Sequence, residues 1–293
     1  MNWLKLIVGT AELPAEQVEE ILEELGAQAV MLEDAGDEPL LEPGVGETPL
    51  WQQTLVSGLF PAERGGQTLG EALLAAWPGN EQPNWEVEVL EDRDWSLVWS
   101  QHARPQRIRD DFWISPGEQE SDIPDTATVV RIPPGLAFGT GTHPTTAMCL
   151  AWLADTVGDG DRVMDYGSGS GILAVSAARL GATEIIAVDN DPQALQATLE
   201  NARANGVADR LSVHDPESCP ALKVDLVVAN ILANPLIELA PRLAGLLPSG
   251  GRIALTGILQ EQAEDVAAAY RPDFPDLEFE RQEEWVLLHG RKA

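Results

Sequence analysis

The chain has 293 residues, 48 of them acidic and 18 basic, for a net charge of −30 at pH 7. So acidic a surface repels nucleic acid and anionic lipid and speeds encounter with a basic partner; adaptation of a whole proteome to salt leaves the same composition, and both readings stand. No stretch approaches the ~18 consecutive apolar residues of a membrane span, and Cys149 and Cys219 stand apart without metal-ligand spacing or a disulfide framework, which points to a cytoplasmic protein.

Trp3 to Val8 alternates as a strand does, with no secretory h-region ahead of it. Pro14 to Leu25 carries Val18, Ile21, Leu22 and Leu25 at helical spacing, and Gly26 closes that helix. Strands follow at Ala29 to Glu33 and Thr54 to Phe60, separated by a loop that Gly44, Gly46 and Pro49 break. A helix over Thr68 to Trp77, opened by the Thr68 cap, and a strand over Trp85 to Leu90 complete the order β-α-β-β-α-β. That order predicts a small ferredoxin-like α+β domain over residues 1–91.

Asp92 to Arg109 sets Trp95, Val98 and Trp99 at helical spacing ahead of Pro105, a partly helical linker over 92–110. Its tryptophans either pack against a domain or line a substrate groove. Phe112 to Ser115 and Thr128 to Ile132 are strands leading into a second domain over 111–293. Pro134 to Thr146 is too rich in glycine, proline and threonine for a regular element. It reads as a binding loop whose threonines, Thr145 and Thr146 among them, cap a helix running to Thr156. His143 lacks a second His or Cys at ligand spacing, so a metal is not expected there; it orders the loop or acts as a base.

The central stretch is Val163-Met164-Asp165-Tyr166-Gly167-Ser168-Gly169-Ser170-Gly171-Ile172-Leu173. It reads as a buried strand, a glycine turn and the start of a helix. Gly167, Gly169 and Gly171 let the backbone turn tightly and approach a ligand, and the helix aims its positive end at the same space. This is the first crossover of a doubly wound, mostly parallel sheet. A dinucleotide fingerprint needs a third glycine at Ile172 or Ala174, where neither residue is glycine. A second strand, Glu184 to Val188, ends in Asp189, which can accept hydrogen bonds from both hydroxyls of a ribose; that step fits a nicotinamide cofactor as well as S-adenosylmethionine.

Asp191 and Pro192 then open a helix that Gly206 closes. Strands are expected at Arg210 to Val213, Asp225 to Asn230 and Arg252 to Thr256, with helices at Pro235 to Leu247 and Gln260 to Tyr270. Phe279 to Trp285 and Val286 to His289 close the sheet as an antiparallel pair. Asn230 emerges from a strand's C-terminal end, where open α/β sheets do their ligand chemistry.

Asp165-Tyr166-Gly167-Ser168-Gly169-Ser170-Gly171 resembles motif I of class I S-adenosylmethionine methyltransferases. With Gly135 to Thr146 and Asn230-Ile231-Leu232-Ala233, the whole chain is similar to the family of methyltransferases that act on ribosomal protein eleven of the large subunit. The resemblance implies a Rossmann-like seven-stranded methyltransferase domain and a smaller ferredoxin-like domain that recognises the substrate. It implies S-adenosylmethionine as cofactor, held by Thr145, Thr146, Gly167, Gly169, Gly171, Asp189 and Asn230, with Asp165 near its methionine part and Asp215 near its adenine. It implies methylation of lysine and N-terminal amines of that basic protein by a monomer, without nucleic-acid or membrane contact. Asn230 orients the amine and no dedicated base is assigned. Ser168 stands where the family usually has cysteine, and Tyr166 is bulkier than expected before the first glycine. A glutamine methylase would have Asn-Pro-Pro-Tyr in place of Asn230 to Ala233.

Overall fold

The computed structural model describes residues 3–36, 51, 53–78, 81–90, 104–117, 120–133, 141, 143–220 and 222–293, and the chain divides into two compact units, Met1–Asp94 and Trp95–Ala293.

In the first unit, strands β1 (Trp3–Gly9), β2 (Ala29–Asp34), β3 (Thr54–Pro61) and β4 (Trp85–Leu90) form an antiparallel sheet in the order β2-β3-β1-β4. Period-two alternation sends Leu4, Leu6 and Val8 to one side. There they meet Val18, Ile21 and Leu22 of the helix Ala15–Glu24 and Leu69 and Leu73 of the helix Gly66–Ala76. This is the ferredoxin-like arrangement expected from the element order. The second helix begins earlier than Thr68 suggested, because Gly65 turns the chain at φ 71 and serves as N-cap without any side-chain hydrogen bond.

In the second unit, β5 (Gln106–Arg109), β6 (Phe112–Ser115) and β7 (Thr128–Arg131) make a small sheet. The expected linker therefore ends in a strand; its tryptophans at Trp95 and Trp99 lie outside the described residues. The main sheet comprises β8 (Arg162–Tyr166), β9 (Glu184–Val188), β10 (Leu211–His214), β11 (Leu226–Asn230), β12 (Arg252–Leu259), β13 (Glu278–Gln282) and β14 (Trp285–Arg291). Their order is β10-β9-β8-β11-β12-β14-β13, parallel except for β14.

Alternate strand residues feed two cores, one on each face. Val163, Ile185 and Val228 pack under the helices Pro144–Thr156 and Ile172–Leu180. Met164, Ile186 and Val227 pack under the helices Ala233–Leu246 and Ala263–Tyr270. Near-continuous apolar strands are what a parallel sheet covered on both faces requires. The closing hairpin turns at Glu283 and Glu284, so Trp285 opens β14 rather than ending the preceding strand. Glu283 sits at φ 56, a position that glycine or asparagine normally marks in a sequence.

Asn205 ties the edge of the small sheet to the helix Pro192–Ala204, as Arg109 ties β5 to Ala154 and Asp155. Asn205, just past the helix Pro192–Ala204, accepts the Arg131 N–H through Oδ1 at 2.7 Å and donates from Nδ2 to the Arg131 carbonyl at 2.8 Å. It pairs with β7 as a neighbouring strand would. Replacing Asn205 by alanine strands both backbone groups, and Asn205→Ala should cost about 2 kcal/mol in urea denaturation; an unchanged midpoint would show that water replaces the amide without loss.

Candidate active site

Strand order reverses between β8 and β11, and the ends of β8, β9 and β11 there open a cavity of about 570 Å³. Open α/β sheets bind ligands at such a switch point. On one side the wall comprises Gly167, Val188, Asp189, Asn190 and Pro216; on the other, Ile231, Leu232, Gly257 and Trp285, with Asn230 between them.

The glycine turn is fixed by the neighbouring strand. The Val188 carbonyl accepts the N–H groups of Gly167 and Ser168 at 2.7 and 3.0 Å, and Asp189 Oδ2 accepts that of Gly169 at 2.8 Å. Asp189 Oδ1 also accepts the Asp191 N–H, so the carboxylate is oriented by two backbone donors and each oxygen keeps lone-pair capacity for a ligand hydroxyl. Gly167 has φ 82, and a Cβ there would lie 2.2 Å from Ile231 Cγ2.

Asn230 ends β11 and donates from Nδ2 to Thr146 Oγ1 at 3.3 Å. His143, not a threonine, caps the helix Pro144–Thr156: its Nδ1 accepts the Thr145 N–H and lies 2.7 Å from Thr145 Oγ1. Both contacts tie the ring to the first turn of that helix, a position that suits a loop-ordering residue. Thr145 lines the cavity, whereas Thr146 is buried behind it and reaches it through Asn230.

Over residues 2–293 the sequence matches the family described as Ribosomal protein L11 methyltransferase (PrmA). The chain belongs to this family. It is 47% identical over 296 residues to the Ribosomal protein L11 methyltransferase of Hahella chejuensis, covering 100% of this chain and 99% of that protein. The corresponding protein of Marinobacter nauticus is 46% identical, with the same coverage. The crystal structure of ribosomal protein L11 methylase from Lactobacillus delbrueckii subsp. bulgaricus is 30% identical, with a TM-score of 0.58, and covers 65% of this chain and 100% of that one.

Several residues of this family member stand differently from a reading of motif I alone. Gly169 and Gly171 are absent from the cavity wall. Gly171, at φ 76, is the N-cap of the helix Ile172–Leu180 and lies under Thr198, whose Cγ2 would meet a Cβ at 2.8 Å. Thr198 Oγ1 donates to the Gly169 carbonyl at 3.1 Å and Asn201 Nδ2 to that of Ser170 at 2.8 Å. With these two side chains, three apart on one face, the helix Pro192–Ala204 braces the turn. Asp215 spends its carboxylate on its own turn, accepting from the Glu217 and Ser218 N–H groups and from Ser218 Oγ, which holds its pKa below the usual range. Tyr166 is accommodated: it is buried, lines the cavity and carries the Arg242 guanidinium 5.6 Å over its ring.

Asp165 is fully buried; Oδ2 accepts the Ala174 N–H at 2.9 Å and Oδ1 has no hydrogen-bond partner. Burial pushes its carboxyl up to about 7, the Ala174 bond opposing and the Asp189 charge adding to the rise. The folded state therefore holds this proton more tightly than the unfolded chain, whose ordinary value is 3.8. The resulting stability is fully present below that value and is lost as pH rises through about 7.

Two outcomes follow. Between about pH 5 and about pH 8, wild type should lose stability relative to Asp165→Asn in parallel urea titrations; a constant difference would mean the carboxyl titrates normally. Gly171→Ala should cost about 2 kcal/mol or more in the same assay, because strain and the Thr198 overlap add; a native midpoint would return Gly171 to a purely ligand-facing role.

Proposed function

We infer that this chain transfers methyl groups from S-adenosylmethionine to amines of ribosomal protein L11, at lysine side chains and the N-terminus. The observation that carries the reading is one cavity that joins the Gly167 turn and the Asp189 carboxylate to the amide of Asn230. Family membership supplies the methyltransferase class and the name of the substrate.

The residues present suit the cofactor. Asp189 offers two oriented oxygens to a ribose diol. Val188, Pro216 and Leu239 give an apolar slot of the kind an adenine fills, and Gly167 clears the approach that a side chain would close. Asp165, buried next to the turn with Oδ1 unpartnered, does not line the cavity and would act on a cationic ligand through its charge alone. In this reading Thr145, Gly167, Asp189 and Asn230 touch the cofactor, while Thr146, Gly169 and Gly171 hold those residues in place. S-adenosylmethionine, when bound, supplies a methyl group already activated by its sulfonium, so the protein's contribution is positioning.

A lysine amine has a pKa of about 10.4 in water and must be neutral to act as nucleophile. The cavity does not favour the ammonium with a counter-charge, since the described wall beyond Asn230 carries no charged side chain. With Nδ2 of Asn230 committed to Thr146, its Oδ1 is the group that accepts an amine N–H and turns the lone pair toward the methyl. Asparagine does this without a charge that would retain the proton. The ferredoxin-like unit would recognise the substrate, the segment joining the units would let several amines reach one cavity, and the chain would work as a cytoplasmic monomer.

The test is incubation of the protein with labelled S-adenosylmethionine and a total ribosomal-protein extract, read by intact mass. Methyl increments on the L11 protein alone are expected, and labelling of other proteins but not L11 would overturn the substrate. Asn230→Ala should lower kcat by roughly 10²-fold with cofactor affinity changed far less; equal losses in both would move Asn230 wholly to cofactor binding.

A further inference from the structure

Sheet order divides the cavity. Gly167 and Asp189 lie at the ends of β8 and β9, Asn230 at the end of β11, and Gly257 and Trp285 on the next two strands outward, β12 and β14. The lining residue with a carboxylate, Asp189, stands on the β9 side; the described wall beyond Asn230 is formed by Ile231, Leu232, Gly257 and Trp285 without a charged side chain. Given the function proposed above, the diol-binding side is the cofactor's, and what enters beyond Asn230 is the acceptor amine on its aliphatic neck.

Trp285 is the largest group on that far wall, and two contacts set its position. Its backbone is paired with Leu259 of β12 and Gln282 of β13. Its ring meets that of His143 edge to face, with centroids 5.0 Å apart and planes at 67°. His143 is itself pinned through Nδ1 to Thr145. Trp285 is thus tied through His143 to Thr145, which also lines the cavity. A bulge in β12 shapes the floor between them: the β12–β14 register shifts between Leu255 and Ile258, and Gly257 at φ 84 lets the Ile231 carbonyl approach to where a Cβ would stand 2.3 Å away.

We propose that the Trp285 indole is the wall of the methyl-acceptor site and sets how many methyl groups one amine receives, by holding partly methylated ammonium groups at the methyl donor. The chemistry favours an aromatic here over an acid. A carboxylate would stabilise the ammonium and raise the amine's pKa, opposing the proton loss that each transfer requires. An indole face attracts a cation through its quadrupole more weakly than a carboxylate does, so it raises the amine's pKa less, and it takes no proton itself. In each round the amine nitrogen's lone pair forms the new N–C bond as the S–C bond breaks. The product is a cation one methyl larger; it loses a proton to solvent before the next round, and after the third it has none to lose. A surface that grips bulky alkylammonium groups keeps the intermediates engaged; an aliphatic surface does not.

The experiment uses the full-length protein in two arms. In the first, dimethyl-lysine amide and its neutral tert-butyl isostere are titrated calorimetrically in the presence of S-adenosylhomocysteine. Wild type and Trp285→Phe should prefer the cation, and Trp285→Leu should bind it roughly threefold to thirtyfold more weakly with S-adenosylhomocysteine affinity unchanged. In the second, Trp285→Leu acting on L11 should stop at mono- and dimethyl products where wild type goes further, with KM for the protein raised more than kcat is lowered. Equal affinity of wild type for the cation and the isostere would overturn the proposal, as would loss of S-adenosylhomocysteine binding in Trp285→Leu. The first arm needs no protein substrate, so if the L11 assignment fails in the second, the amide titration still decides the role of Trp285.

Discussion

Two N–H groups converging on the Val188 carbonyl set the geometry on which the site depends. Tyr166 and Val188 are register partners at the ends of β8 and β9, and the next two residues of the chain, Gly167 and Ser168, both donate to the Val188 oxygen. The turn cannot drift without breaking the edge of the sheet. Three consecutive alternate glycines at φ 82, 54 and 76 carry the backbone through conformations that side chains resist. Asp189 is one residue past Val188, so the same strand end that anchors the turn also delivers the carboxylate that faces the cavity. Packing of the strands thereby fixes the distance between cradle and acid, and the helix Pro192–Ala204 closes the frame through Thr198 and Asn201.

The fold was legible because its signals are additive over many residues. Apolar strand runs, helical spacing at Val18, Ile21 and Leu22, and the Asp191–Pro192 start each recur in the structure, with Asp191 accepting the Gln193 N–H at 2.8 Å. Motif I and Asn230 were legible as a site because strand–turn–helix context and strand ends are local properties. What was hidden depends on partners distant in sequence. Nothing near Asn205 announces that it will complete β7, some 70 residues earlier. His143 as a cap was obscured by the threonines beside it, which are the commoner capping type.

Trp285 was hidden for a different reason. The hairpin turn falls on Glu283–Glu284, where no glycine or asparagine marks it, and the first strand therefore reads as running on to Trp285 when it ends at Gln282. Assigned to the wrong strand, the indole has no reason to face the switch point. The register correction is what brings it there: opening β14 opposite Leu259, it follows the bulge at Gly257 and reaches the cavity wall. Gly257 lies just past the strand expected to end at Thr256; in the structure β12 runs on to Leu259, and Gly257 admits the Ile231 main chain.

Charge works on two length scales here, and they pull in opposite directions unless kept apart. In the function proposed above, a net −30 favours the approach of a basic protein over distances up to the Debye length, about 8 Å at physiological salt. The same negative field at the reacting nitrogen would hold its proton and suppress attack. The structure separates the two: among the described lining residues the carboxylate is Asp189, already shared between two backbone N–H groups and set on the far side of Asn230 from Trp285. Burial raises the carboxyl pKa of Asp165, which weakens the negative charge it contributes beside the turn. An acidic exterior and a cavity wall of isoleucine, leucine and tryptophan are therefore compatible, because the carboxylate that lines the cavity stands on the other side of Asn230 from that wall.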